Sequence, residues 1–128
     1  MRILGNGVDI VENRRIEKAI KNKNFVNKIF STKEKDIAKN KRVNKTNYFA
    51  KRFAAKEAFL KAVGSAKKIK FNEIEVRNNS SGAPRLTVKS NSLKNLKKIF
   101  KKKKFKIHLS LSDDKPWAVA SVIIFIYN

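Results

Sequence analysis

The sequence of 128 residues contains no cysteine and only one histidine. The absence of cysteine excludes disulfides, thiolate metal sites and a cysteine nucleophile. A single histidine makes a histidine-based zinc site unfavourable as well. We therefore expect an intracellular protein whose metal site, if it has one, is built from oxygen ligands.

Long hydrophobic runs are also missing. The longest one, residues 117–127, is too short to cross a bilayer as a helix, and residues 1–12 are too short and too acidic at their end for a signal peptide. A hydrophobic content of 41% with nine phenylalanines excludes a disordered chain. We expect one folded domain over residues 1–128, in a soluble cytoplasmic protein without a membrane partner.

Negative charge is scarce, because ten Asp and Glu stand against 32 Lys and Arg and give a net charge of +22. Such a surface attracts polyanions, so a basic nucleic-acid-binding module is one hypothesis. The many Lys and Asn residues are equally expected from the codon usage of an AT-rich genome. Against nucleic acid, the aromatic residues follow apolar faces and do not alternate with arginine as a base-stacking surface would require.

The clearest helical pattern covers residues 48–64, which are rich in alanine and end at Gly64. Glu57 borders the apolar face of this helix. One interpretation is an ion pair with Lys61, four residues further along. The other is a ligand of a hard cation, which needs a second carboxylate and a phosphate-bearing substrate to complete its shell.

A second carboxylate is present in the predicted strand over residues 3–11. Asp9 is costly to bury unpaired, so it is satisfied either by backbone donors or by a cation. Gly5 and Gly7 in the same strand allow close approach of another backbone or of a ligand. The two acids, Asp9 and Glu57, are therefore the candidate pair for a metal site.

The remaining pattern predicts an α+β fold with a mainly antiparallel sheet wrapped around the long central helix. A lone histidine on the polar face of a strand is more often structural than catalytic. The further predicted features are an Asn13 cap before a helix that carries Arg14 and Arg15, a Ser31–Glu34 capping box, strands at 71–77 and 85–89, a helix capped by Ser90, a strand at 105–112 with His108 on its polar face, and a strand at 117–127 buried on both faces or at a subunit contact.

Four segments together resemble the holo-acyl-carrier-protein synthase family of small bacterial 4'-phosphopantetheinyl transferases. They are GVDIVENRRIEKAI near the start, FAAKEAFLKAVG in the middle, the GAP turn, and HLSLSDD before the last strand. The resemblance runs in order along essentially the whole chain. It implies the 4'-phosphopantetheinyl transferase fold. It also implies transfer of 4'-phosphopantetheine from coenzyme A to a serine of apo-acyl-carrier protein, with release of adenosine 3',5'-bisphosphate, in fatty acid biosynthesis.

The resemblance also implies roles for individual residues. Asp9 and Glu57 match the acids that hold Mg²⁺, with Mn²⁺ as an alternative, against the coenzyme A pyrophosphate. Lys61 matches the lysine that contacts phosphate, so these three residues are the expected catalytic set. The proton acceptor for the serine is a metal-bound water, Glu57 or Asp9.

Coenzyme A contacts are expected at positions on and after the central helix, in the hairpin turn and in one later strand. In this sequence the positions are Arg52, Lys56, Lys61, Gly64, Ser65, Gly82, Pro84, Arg85 and His108. Two departures from the family pattern are visible. The glycine-rich GTG is replaced by Gly64, Ser65 and Ala66, and the GKP turn has lost its lysine, for which Arg85 is a candidate replacement.

Arg14 and Arg15 match the basic helix start that meets the acidic carrier protein, with Arg15 the better aligned of the two. An acidic carrier protein would account for the positive charge of the chain, so no specific nucleic-acid partner is expected. The resemblance further implies a homotrimer with active sites between subunits, which would explain the apolar last strand.

Overall fold

A computed structural model describes residues 1–65 and 67–127, so Ala66 and Asn128 lie outside the described residues. The elements in chain order are β1 (Arg2–Glu12), α1 (Asn13–Ala19), α2 (Lys23–Ile29), α3 (Thr32–Ala38), α4 (Lys45–Val63), a 3₁₀ turn (Phe71–Glu73), β2 (Ile74–Asn78), β3 (Pro84–Val88), α5 (Ser90–Ile99), β4 (Lys106–Asp114) and β5 (Trp117–Ile126). The predicted α+β class is confirmed.

The strands form two antiparallel sheets. One has three strands in the order β1-β5-β4, and the other is the β2-β3 hairpin. In the larger sheet Asp9 of β1 lies opposite Ala120 of β5, and His108 of β4 lies opposite Ile123. Ala120 is fully buried whereas Ile123 is 36% exposed. Asp9 and His108 therefore point to opposite faces of the sheet.

Helix α4 packs against the inner face of this sheet, directly on β1. A Cβ atom at Gly5 would overlap the carbonyl oxygen of Ala62, and one at Gly7 would overlap the carbonyl oxygen of Ala58. The two glycines therefore allow close approach of the helix backbone. Gly64 ends the helix in the left-handed conformation, with φ of +83°. Within residues 1–65 and 67–127, no helix is long and apolar enough to cross a membrane.

On the outer face of the three-stranded sheet, β1 and β5 leave several apolar side chains open, whereas β4 contributes polar residues such as His108. β5 buries alternate residues such as Val122 on its inner side, but Ile123 remains partly exposed on the outer side. On β1, Ile3, Val8 and Ile10 of the same sheet are each more than half exposed. Burial of β5 on both faces is therefore wrong for a single chain, and the subunit-contact alternative remains a prediction.

Two predicted helix caps are replaced by other arrangements. Glu12, not Asn13, occupies the position before α1, because its backbone is extended there and Asn13 already belongs to the helix. Lys89, not Ser90, has the extended backbone before α5, whereas Ser90 has φ of +57°. The Ser31–Glu34 capping box is confirmed. The predicted strand at 71–77 begins only at Ile74, since residues 71–73 form a 3₁₀ turn.

Candidate active site

Asp9 and Lys61 join β1 to α4. The Lys61 ammonium lies 3.1 Å from Asp9 Oδ1 and also donates to the Val8 carbonyl oxygen at 3.0 Å. The Lys61 side chain is 55% exposed and that of Asp9 only 16%. Lys61 is therefore held at its position by the strand while its ammonium remains open to a solvent-borne anion.

Glu57 lies half-buried one turn before Lys61 on the same helix. Burial raises the pKa of its carboxyl group, and the negative charge of Asp9 raises it further, against the lowering effects of Lys61 and Arg15. Lys61 forms its ion pair with Asp9, so the interpretation of Glu57 as the ion-pair partner of Lys61 is wrong. Asp9 and Glu57, whose negative charges disfavour one another, thus lie close together where β1 meets α4. We refer to this position as the Asp9–Glu57 corner.

This donor set fits a hard cation. Carboxylate oxygens suit Mg²⁺, and a cation between Asp9 and Glu57 would relieve the repulsion that raises the pKa of Glu57. In the part of the chain that the structure describes, no group of three or more His, Cys, Asp or Glu is placed to hold a metal. Two carboxylates would therefore act together with substrate phosphate and water, as is usual for Mg²⁺.

A cavity of about 570 Å³ opens beside these groups. It is lined by Glu57, Leu60, Lys61, Gly64, Ser65 and Phe71. Its volume is in the range of small-molecule sites, which is about 300–1,000 Å³. The structure therefore brings four of the sequence-predicted residues, Glu57, Lys61, Gly64 and Ser65, to one cavity. Ala66, the third position of the altered glycine-rich stretch, lies outside the described residues.

The other predicted coenzyme A contacts do not line this cavity within one chain. Gly82, Pro84 and Arg85 lie at the turn and start of the β2-β3 hairpin. His108 is exposed on the outer face of the larger sheet, away from Asp9. The coenzyme A contacts expected at Gly82, Pro84, Arg85 and His108 therefore remain predictions.

Lys56 does not fit the predicted coenzyme A contact. Its side chain is fully buried, and its ammonium donates to the Ile29 carbonyl at 2.6 Å, to Glu34 Oε1 at 2.7 Å and to the Phe71 carbonyl at 3.0 Å. Burial lowers the pKa of Lys56, which the adjacent Glu34 carboxylate opposes. All three N–H donors of the ammonium are used inside the protein, so none is left for a phosphate.

Arg52 is buried as well, with 4% of its surface exposed. Its guanidinium lies over the Tyr48 ring, 4.0 Å from the ring centroid, and burial lowers its pKa. This placement stabilises the cation by its attraction to the ring face. Arg52 therefore presents very little surface to a ligand, and its predicted contact with coenzyme A remains a prediction.

The sequence did not reveal the importance of Glu34. Beyond its cap to the Ser31 amide, its carboxylate accepts from the Val76 amide at 2.8 Å and from the Lys56 ammonium. It thereby ties α3 to α4 and β2. The sequence offered no local signal for this pairing, because Glu34 and Lys56 are 22 residues apart.

Arg14 and Arg15 are both exposed on α1. The positive charge of Arg15 is one of the influences that lower the pKa of Glu57, so this arginine lies near the carboxylate pair. Arg14 has no such influence on Glu57. A molecule bound to the start of α1 would consequently also lie beside the Asp9–Glu57 corner.

The fold and the paired acids define a class of enzyme. The chain belongs to the 4'-phosphopantetheinyl transferase superfamily, whose family model matches residues 5–122. The holo-(acyl-carrier-protein) synthase of Pelagibacter ubique is 48% identical over 126 residues, which cover 97% of this chain and 98% of that protein. The resemblance to holo-acyl-carrier-protein synthases is thereby confirmed.

Solved structures agree with this assignment. The crystal structure of a holo-(acyl-carrier-protein) synthase from Bacillus anthracis, in complex with CoA (3',5'-ADP), is 38% identical with a TM-score of 0.80, and the match covers 98% of each chain. The holo-acyl-carrier-protein synthase of Neisseria meningitidis is 30% identical with a TM-score of 0.84 and covers 97% of this chain and 99% of that one. The predicted transferase fold is therefore confirmed.

Proposed function

We propose that this protein transfers 4'-phosphopantetheine from coenzyme A to a serine of an apo-acyl-carrier protein and releases adenosine 3',5'-bisphosphate. The observation that carries the proposal is the arrangement of Asp9, Glu57 and Lys61 beside the cavity that Gly64 and Ser65 also line. The relatives named above are holo-acyl-carrier-protein synthases, and one of them has been solved with a coenzyme A fragment. We further propose that the reaction serves fatty acid biosynthesis and that the enzyme works in the cytoplasm, which the family assignment supports.

Each of the three residues has a distinct task in this reaction. Asp9 and Glu57 would hold Mg²⁺ or Mn²⁺, which supplies positive charge to the phosphate oxygens as the phosphoryl group transfers. Lys61, anchored by Asp9 and half exposed, can place a second positive charge on the substrate phosphates. Burial and the charge of Asp9 raise the pKa of Glu57 in the metal-free chain, so a cation held between the two carboxylates would favour the ionised form of Glu57.

The carrier protein would bind at the start of α1. Arg14 and Arg15 are exposed there, and Arg15 acts on the charge of Glu57. A carrier protein seated on these arginines would bring its serine to the Asp9–Glu57 corner. Exposed cations on and after α2 and α3, namely Lys28, Lys39, Lys41 and Arg42, extend the surface that suits an acidic protein.

The active enzyme would be a homotrimer with sites shared between copies. The outer sheet face carries exposed Ile3, Val8 and Ile10, an apolar patch of the kind that marks protein interfaces. His108 lies on that face, where a neighbouring copy that carries coenzyme A would meet it. Light scattering should give three chains per particle, and Val8→Lys with Ile10→Lys should lower both the particle mass and the rate of transfer. A monomeric wild-type protein that is fully active would contradict this part.

Intact-mass spectrometry tests the reaction. An apo-acyl-carrier protein incubated with this protein, coenzyme A and Mg²⁺ should gain the mass of one phosphopantetheine, and a chelator should prevent the gain. Glu57→Gln should abolish the gain without lowering the thermal midpoint, because it removes a carboxylate whose ionised form the fold disfavours. Asp36→Asn, on the exposed surface of α3, is the matched control and should remain active.

Two results would contradict the proposal. Full transfer by Glu57→Gln would remove this residue from the metal site. No mass gain with several carrier proteins and with either metal would remove the activity itself.

A further inference from the structure

A second and larger cavity lies on another part of the molecule, between β3, α5 and the start of β4. It has a volume of about 1160 Å³ and shares no lining residue with the Glu57 cavity. Its apolar wall is formed by Leu86 and Val88 of β3, Leu93 of α5, Phe105 and Ile107 at β4, and Tyr127 after β5. We refer to this cavity as the β3–α5 groove.

The polar side chains that line the β3–α5 groove are mostly basic, and apart from exposed Thr87 of β3 and the hydroxyl of Tyr127 they belong to α5 and the segment after it. Seven lysines line the groove, namely Lys94, Lys97, Lys98, Lys102, Lys103, Lys104 and Lys106, and no Asp or Glu of the described ranges is among its lining residues. The positive φ of Lys101 and Lys102 turns the chain after α5, which brings this run of lysines to the rim. The Lys106 ammonium lies 5.2 Å from the Tyr127 ring centroid, so one cation stands over an aromatic wall.

The combination indicates the chemistry of the occupant. An apolar floor with cations only at its edge matches a molecule with a hydrocarbon portion and an anionic end. A second copy of this chain offers few acidic side chains to these lysines, because its ten Asp and Glu stand against 32 Lys and Arg. A flat membrane surface would cover the rim without filling the concave floor.

We propose that the β3–α5 groove binds a single-chain amphiphile with an anionic head group, such as a long-chain fatty acid. The hydrocarbon chain lies against Leu86, Val88, Leu93 and Ile107, and the carboxylate lies among the rim lysines. The site uses none of the residues assigned to phosphopantetheine transfer, so the proposal stands or falls independently of that activity.

Titration calorimetry with dodecanoate below its micelle concentration tests the groove on the full-length protein. One dodecanoate should bind per chain, and shorter acids should bind up to about fourfold more weakly for each methylene removed. Dodecanol, which has the same chain and a neutral head, should bind at least about threefold more weakly than dodecanoate. Binding of dodecanoate should also weaken as salt is added.

Matched variants locate the site. Lys97→Gln, Lys98→Gln and Lys104→Gln together should weaken dodecanoate binding by roughly three- to tenfold, since each exposed charge contributes a modest attraction. A control with the same loss of charge, namely Lys39→Gln, Lys41→Gln and Lys45→Gln, should bind normally. All six lysines are exposed, so both variants should fold.

Four outcomes would overturn the proposal. They are no binding of dodecanoate, equal binding of dodecanol, equal weakening by the two triple variants, and binding to phosphatidylglycerol vesicles without binding of dodecanoate. The last outcome would instead identify the lysines as a membrane-surface patch.

Discussion

The buried ammonium of Lys56 allows a quantitative test of whether Lys56 stabilises the fold while Lys61, on the same helix, acts on the substrate. Lys56→Met keeps a side chain of similar length but leaves the Glu34 carboxylate buried without its cation. It also leaves the Ile29 and Phe71 carbonyls without their donor. Lys61→Met is the matched control, because Lys61 lies on the same helix with its side chain 55% exposed.

The expected losses of folding stability differ strongly between Lys56→Met and Lys61→Met. Removal of one partner from a buried ion pair costs about 3–5 kcal/mol, a large part of the roughly 5–15 kcal/mol that stabilises a typical protein. At roughly 4 °C per kcal/mol for a chain of this size, the thermal midpoint of Lys56→Met should fall by about 12–20 °C. Lys61→Met should lower the free energy of unfolding by only about 1 kcal/mol, because the Lys61 side chain is 55% exposed and water can reach its partner Asp9 once the ammonium is gone.

Urea unfolding followed by circular dichroism measures both variants, and transfer assays well below the midpoint measure their activity. Lys61→Met should be stable but nearly inactive, and Lys56→Met should be unstable but, while folded, retain its KM for coenzyme A. The double variant Lys56→Met with Glu34→Gln should recover at least about 1 kcal/mol relative to the sum of the single changes. A stable Lys56→Met with a raised KM would refute the reasoning, because it would mean that this ammonium faces the substrate.

Three further predictions follow from single contacts. Gly7→Ala should lower the free energy of unfolding in urea by about 1–3 kcal/mol, because the added methyl group meets the Ala58 carbonyl. The control Asn6→Ala should lower it only slightly, and equal losses would contradict the close packing of β1 on α4. Burial acts to raise the pKa of Glu75, but the hydrogen bond from Lys89 helps to hold it below its usual value. The stabilisation that ionised Glu75 contributes is therefore present above about pH 4.5 and is lost as the pH falls through the lowered pKa. Glu75→Gln should consequently make the free energy of unfolding depend less on pH below about 4.5. An unchanged pH dependence in that range would argue against the contact with Lys89. Arg15→Glu should raise the KM for carrier protein more than that for coenzyme A in steady-state kinetics, and equal effects on both would contradict the docking site.

The sequence predicted features that depend on local patterns. Glycine at the end of α4 and the capping box of α3 involve neighbours within a few residues, and the apolar alternation of β4 marks its inner face. The candidacy of Asp9 and Glu57 was also readable, because an isolated carboxylate in an apolar segment needs a partner wherever the chain places it.

The features that sequence reasoning missed depend on contacts between distant segments. Lys56 looks like any helical lysine until Glu34, 22 residues earlier, meets it in the core. The assignment of Lys61 to Asp9 in place of Glu57 likewise depends on how β1 crosses α4. At Ser90 a local rule failed, because the start of α5 is satisfied by the Glu73 carboxylate, which accepts from the Ser92 amide at 3.1 Å and from the Ser92 hydroxyl at 2.6 Å.

The contact of Gly5 and Gly7 with α4 also determines how accurately the acidic corner can be built. Since Ala58 and Ala62 meet these glycines main chain to main chain, no rotatable side chain separates the strand from the helix. The spacing of Asp9 and Glu57 is consequently set by peptide geometry, which tolerates little variation, and only the last bonds of each carboxylate remain free to adjust. A cation that needs carboxylate oxygens at fixed positions would thus find Asp9 and Glu57 already at the required separation in the folded chain.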